Sequence, residues 1–230
     1  MTVDLAAPSL RALASRRTWT RPAEFWQGLT SATAHLSAPV VALSLDALHA
    51  NATDLTRRAG GLPIRIASKS IRVRGVLEAV LALPGYRGVL AYTLPEALWL
   101  AETIDDVVVG YPTVDRAAIA ALGSDARAAS RVTVMIDSLE QLDLIDAVAP
   151  HYKREELRVC LDFDASWEAP LLGHVGVLRS PVRTAVALRE LAEQVVRRPG
   201  FRLVGVMSYE AQIAGVANAP AGRPLLGAAL

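Results

Sequence analysis

The sequence predicts an α/β fold of the (β/α)8 TIM-barrel type, incomplete, with about seven strands present. Two observations lead there. From residue 39 onward, apolar β-type runs alternate with segments of helical spacing, the pattern of a parallel sheet crossed by helices. Several of those runs are apolar on both faces, as strands covered on both sides must be. A doubly wound sheet is the competing arrangement, but no G-x-G-x-x-G follows the first run.

The units follow in order. PVVALSL (39–45) reads as the first strand, and DALHANATDLTRRAG (46–60) as a helix stopped by glycine. IRIASK (64–69) precedes IRVRGVLEAVLAL (71–83), which Pro84 and Gly85 terminate. RGVLAYT (87–93) precedes PEALWLAETI (95–104), where Pro95 suits a first helical turn. DVVVGYP (106–112) precedes VDRAAIAAL (114–122). RVTVMID (131–137) precedes SLEQLDLIDAVA (138–149), with Ser138 and Gln141 spaced as a capping box. LRVCLDFD (157–164) leads through an irregular stretch to the helix PVRTAVALRELAEQVVRR (181–198), and FRLVGVMSYE (201–210) is the seventh strand.

Outside these units the pattern lapses. Residues 1–38 form an N-terminal arm with one helical segment around 22–36, and 39–215 hold the partial barrel. Residues 216–230 read as an irregular tail, and the stretch from 211 onward is too short for another helix and an eighth strand. The chain therefore reads as part of a longer protein.

Composition narrows the function classes. The 230 residues carry a formal charge of +1 from mixed signs, with no basic block to grip nucleic acid. Cys160, the single cysteine, excludes an internal disulfide and sits in an apolar run, as an inert buried thiol does. Neither a secretory signal nor an apolar run of membrane-spanning length occurs, so the expected setting is soluble and cytoplasmic, without membrane.

Lys69 stands out. Of 24 lysines and arginines only two are lysines, and the other, Lys153, lies in the polar segment HYKREE. A guanidinium stays protonated and cannot form a Schiff base, whereas a desolvated lysine can. Lys69 follows a β run at the end where barrels keep their chemistry. Position alone leaves an ordinary strand-ending surface lysine open as well. Asp162, Asp164 and Trp167 close the sixth run, but no third ligand stands at metal spacing. Helix capping and the orientation of a neighbouring arginine are the expected duties of the two aspartates.

Four stretches carry a family likeness: PVVALSLDALHANATDL (39–55) with Asp46, Leu48 and Asn51; ASKSIR (67–72); DSLEQLDLI (137–145); and GVMSYEAQ (205–212). In order and spacing they resemble the fold-type III pyridoxal-phosphate-dependent enzymes with an alanine-racemase-like N-terminal barrel. The resemblance is strongest to the group of D-threonine aldolase, D-serine dehydratase and amino acid deaminase, and covers about residues 38–215.

The resemblance implies a catalytic Lys69 that binds pyridoxal phosphate, and Tyr209, where racemases tend to have histidine, packed against the cofactor ring. Gln212 is a candidate hydrogen-bond donor to cofactor or substrate, and Arg72 a candidate neutralising charge for a phosphate or carboxylate. A core tyrosine, a loop glutamine and an exposed first-turn arginine are the plain alternatives for these three. Arg179 is the candidate for substrate carboxylate; His174 stands near where relatives have arginine, a departure from the pattern. The implied function is a pyridoxal-phosphate-dependent lyase on D-amino acids, by retro-aldol cleavage or deamination. A non-catalytic cofactor carrier and an inactive truncated fragment are the alternatives, with racemisation behind them. The family's phosphate loops, C-terminal β-domain and divalent-metal ligands lie mainly beyond the seventh strand, so no metal ligand is expected here. An amino-acid substrate is the expected partner, with a homodimer an option for the full-length form.

Overall fold

The computed structural model describes residues 3–171 and 173–210. The chain divides into two compact units, residues 1–90 and 91–230.

The first unit opens with the helices α1 (Pro8–Ser15), α2 (Pro22–Thr33) and α3 (Leu45–Arg58). They are followed by β1 (Ile64–Ala67), α4 (Arg74–Leu81) and β2 (Tyr86–Ala91), whose last residue falls in the second unit. The strands β1 and β2 pair in parallel, with Ile64 opposite Tyr86 and Ala67 opposite Leu90. α4 turns Val76, Leu77, Ala79 and Val80 inward at helical spacing. Leu5, from the arm, is 1% exposed and packs with Ala79 and Val80, so burial reaches well ahead of the first predicted strand.

The second unit is built from βα pairs. α5 (Leu94–Leu100) leads to β3 (Val107–Val109), then α6 (Arg116–Ser124) and α7 (Ala126–Arg131) lead to β4 (Val132–Ile136). α8 (Leu139–Val148) leads to β5 (Leu157–Asp164). After the short strands β6 (Trp167–Ala169) and β7 (Gly173–Val175) come α9 (Ala185–Arg197) and β8 (Phe201–Tyr209). Strands β3, β4, β5 and β8 lie side by side in that order, all parallel. All five residues of β4 are buried, as a central strand between helices requires. The helix starts are capped by side chains. Thr93 accepts from the Glu96 N–H at 3.3 Å and Asp115 from Ala118 at 3.0 Å, while the Gln141 side chain accepts the Ser138 N–H at 3.3 Å.

Six of the seven predicted strands are present among the described residues. The exception is 39–45, which forms no ladder; Leu45 already begins α3 and Val41 is 99% exposed. A run of valine and leucine becomes a strand only beside a partner that takes its backbone hydrogen bonds, and none pairs with this stretch among the described residues. Val41→Ser is therefore expected to change unfolding free energy by less than about 0.5 kcal/mol. In contrast, Leu161→Ala, at a fully buried β5 position, costs about 3 kcal/mol in urea denaturation. Two further differences are small. The arm carries α1 as well as the expected helix, and the stretch after β5 is not irregular but closes as the antiparallel β6–β7 hairpin, with Glu168 opposite His174.

Among the described residues, no helix is long and apolar enough to cross a membrane.

Candidate active site

In the first unit, β1 runs directly into a single 3₁₀ turn, Ser68–Ser70, that carries Lys69. Ser68 ties the turn down. Ser68 is fully buried, and its hydroxyl donates to the Leu90 carbonyl on the neighbouring strand at 3.3 Å. Lys69, the next residue, is exposed at the C-terminal end of the strand. Arg72 is also exposed, between that turn and α4. The structure thus places the Lys69 amine at the C-terminal end of a parallel strand, on a turn held by Ser68.

In the second unit, the C-terminal strand ends gather a different set of groups. Tyr92 follows β2 and Tyr111 follows β3; their rings meet edge to face with centroids 5.5 Å apart. Glu96 holds the Tyr92 N–H at 2.8 Å, which fixes the end of that strand. With Thr93 the two tyrosines line a pocket of about 250 Å³.

Arg179 reaches this cluster from the segment after β7. Its Nε lies 3.0 and 2.9 Å from the two carboxylate oxygens of Asp162, and its Nη2 donates to the Gly110 carbonyl. The guanidinium lies 4.7 Å from the Tyr111 ring centre and 5.5 Å from that of Tyr209, so it stacks on one and flanks the other. Of the predicted site residues in this unit, the structure brings Arg179 and Tyr209 together. His174 is held elsewhere, with Nδ1 2.7 Å from Glu168 on the facing hairpin strand. Gln212 lies outside the described residues.

The aspartates do orient an arginine, as expected, but cap no helix. Asp162 and Asp164 are 1% and 2% exposed. Asp164 accepts the backbone N–H groups of Ser166 at 2.8 Å and Arg179 at 3.2 Å, which ties down the loop, and Arg183 stands 3.6 Å away. Ser180 adds a hydroxyl bond to the Asp162 carbonyl at 2.8 Å. Burial pushes the Asp162 carboxyl above its ordinary range, with Arg179 offsetting only part of the effect. For Asp164 burial acts in the same direction, but the hydrogen bonds from Ser166 and Arg179 and the charge of Arg183 outweigh it and hold the carboxyl below that range.

The two shifts have opposite linkage. A lowered folded-state value means that Asp164 stabilises the fold above the ordinary carboxylate range and loses that contribution as pH falls through the folded value. A raised value means that the Asp162 contribution is present at low pH and is lost as pH rises through the folded value. Asp164→Asn is expected to cost about 2 kcal/mol at pH 7 and progressively less below about pH 4. Urea unfolding at the two pH values checks this; an equal cost at both would contradict the assignment.

Sequence reasoning passed over Tyr92 and Tyr111. The available signal was positional: each tyrosine directly follows a β run, in LAYT and VVGYP.

Comparison with known proteins now bears on these sites. The family model described as alanine racemase, N-terminal domain, matches residues 43–223. Similar solved structures include three enzymes. D-Threonine aldolase from Filomicrobium marinum aligns at a TM-score of 0.60 and 22% identity, over 74% of this chain and 43% of that one. D-threo-3-Hydroxyaspartate dehydratase from Delftia sp. HT23 aligns at 0.55 and 22%, over 76% and 44%. Alanine racemase from E. faecalis aligns at 0.50 and 16%, over 73% and 43%. Among curated proteins none matches. The chain thus spans less than half the length of these structures, and at such identities the likeness shows the fold, the α/β barrel type represented here in part.

Proposed function

Since the chain belongs to the family of the alanine racemase N-terminal domain, we propose that it carries the lysine of a pyridoxal-phosphate-dependent lyase acting on D-amino acids. The observation that carries the reading is Lys69 itself. It is an exposed amine on an anchored turn at the C-terminal end of a parallel strand, in a chain that otherwise uses arginine almost throughout. The cofactor needs an amine at a site open to an incoming amino acid, and the exposed turn at the end of β1 offers one.

When bound, pyridoxal phosphate supplies a conjugated ring that draws electrons from the substrate's α-carbon. Lys69 holds the cofactor through its amine and moves a proton at the substrate. Ser68, locked to Leu90, keeps the amine at one depth. Arg72 supplies positive charge for a phosphate or carboxylate. In the second unit, Tyr209 is the residue proposed to pack on the ring. Arg179, pre-oriented by Asp162, is proposed for the substrate carboxylate, while His174, the other candidate from the family likeness, is engaged by Glu168. A tyrosine at the end of β8, where racemases of the family tend to have histidine, favours a lyase. Retro-aldol cleavage of a β-hydroxy amino acid would release glycine and an aldehyde; dehydration would release ammonia and a keto acid.

The test is to incubate the chain with pyridoxal phosphate, fix the adduct with borohydride and map it by peptide mass spectrometry. Label on the Lys69 peptide is the expected result. No label, or label on the Lys153 peptide instead, would sink the proposal. Assays of aldehyde and ammonia with D-threonine and D-serine then separate the two lyases, and a labelled chain that releases neither product is a carrier.

A further inference from the structure

The first unit holds a pocket of about 470 Å³ between α1, α3 and the start of β2. Its polar lining comes from Arg11, His49, Thr53, Thr56 and Tyr86. Tyr86 pairs with Ile64 at the opening of the β1–β2 ladder. Lys69 lies in the turn beyond the other end of β1, whose length is roughly 10 Å at the rise of an extended strand. The pocket and the lysine therefore occupy opposite ends of the same strand pair.

The walls have a fixed hydrogen-bonding sense. The Tyr86 hydroxyl donates to the Ala52 carbonyl at 2.9 Å, and burial raises the phenol further above its ordinary value, so it stays protonated at neutral pH. The Thr56 hydroxyl donates to the Thr53 carbonyl at 2.8 Å. The oxygens of both can therefore only accept from a ligand. His49 Nδ1 lies 2.8 Å from the Leu5 carbonyl. A carbonyl oxygen accepts, so Nδ1 carries the hydrogen, and in the tautomer protonated there alone Nε2 is a third acceptor.

Against these acceptors stands one full positive charge. Arg11 has no ion-pair partner among the described residues. Thr53 adds a hydroxyl able to donate. Thr56 is itself closely packed. Gly85, at φ +91°, places its α-carbon so that an added Cβ would meet Thr56 Cγ2 at 2.9 Å, a contact only glycine avoids.

From this census we infer that the pocket is a second small-molecule site, separate from the lysine, for a small carboxylate that also carries ammonium or hydroxyl donors. The carboxylate meets Arg11 and Thr53, and the donors meet His49, Thr56 and Tyr86. An apolar ligand would make no use of Arg11 and Thr53, and a simple carboxylate none of the acceptor oxygens of Thr56 and Tyr86. The inference is independent of any activity at Lys69.

The test uses the 230-residue chain without added pyridoxal phosphate, titrated calorimetrically with L-serine, propionate and ethanolamine. L-Serine is expected to bind once per chain, with propionate and ethanolamine each weaker by about tenfold or more, since each lacks one half of the match. Arg11→Gln, an exposed helix position, should weaken serine by about tenfold or more. Thr53→Trp should abolish binding by filling the space, and Lys69→Ala should leave it unchanged. Circular dichroism of each variant confirms folding, and the Arg11 variant decides if the tryptophan variant is unfolded. Absence of serine binding overturns the inference, as does binding that survives Arg11→Gln or is lost in Lys69→Ala.

Discussion

Lys69→Arg is expected to abolish retention of pyridoxal phosphate after borohydride fixation and to lower any turnover by more than about a hundredfold, the scale of a lost proton-transfer group. The substitution keeps the charge and most of the length of the side chain. It removes the ability to lose a proton, because a guanidinium stays protonated at any working pH. Since residue 69 is exposed, the folded state should be barely affected, and thermal unfolding within about 2 °C of wild type would separate a chemical from a structural loss. Lys153→Arg is the matched control. Lys153 sits in the exposed turn His151–Lys153, with its Nζ 5.6 Å from the Tyr152 ring centre, and its replacement should leave retention intact. A Lys69→Arg chain that still retained the cofactor would place the chemistry elsewhere.

Asp146→Ala is expected to be the most destabilising of the charge substitutions, by about 3 kcal/mol, or a fall of roughly 10 °C in Tm. Asp146 on α8 faces two arginines. Arg154 Nη2 is 2.9 Å from one of its oxygens, and Arg198 Nη2 is 2.7 Å from the other. The Arg154 side chain is only 1% exposed and stacks 4.3 Å over the Phe201 ring centre, with its remaining donors on the carbonyls of Ala149, Glu155 and Gly200. Deleting the carboxylate leaves a buried cation held by neutral carbonyls alone, which costs far more than loss of a surface pair. Asp143 provides the contrast. It touches Arg198 from a side chain that is 66% exposed, and Asp143→Ala should cost less than about 1 kcal/mol. Urea denaturation of both variants checks the difference; similar costs would show that Arg154 does not depend on Asp146. The cluster lies where β5 and β8 begin, the strand ends that serve stability in this type of fold.

The two regions were not equally legible. At the strand-end site, Lys69 was visible because it breaks a compositional habit and because β1 ends just before it. Asp162 and Asp164 were visible as a pair, and so was their duty toward an arginine. The arginine's own surroundings were not. Arg179 meets Gly110, 69 residues away in sequence, and Tyr111 and Tyr209 on two further strand ends. No local pattern encodes those distances. The Asp146 cluster was hidden for the same reason: Arg198 is 52 residues from its partner, and isolated arginines near helix ends look alike whether they are buried or solvated.

By itself the sequence determined the alternation of β runs and helices, the capping box of Ser138 and Gln141, and the lysine at the end of a strand. These are short-range properties, set by side-chain periodicity and by backbone groups that need partners within a few residues. Tertiary structure decided the rest. It left 39–45 without a ladder despite its valines and paired 167–169 with 173–175. It also closed Arg179 onto Asp162 between two aromatic rings, and set Arg11, His49 and Tyr86 around one pocket. A strand exists only where a second strand accepts its hydrogen bonds, and a charge is buried only where distant groups converge to pair it.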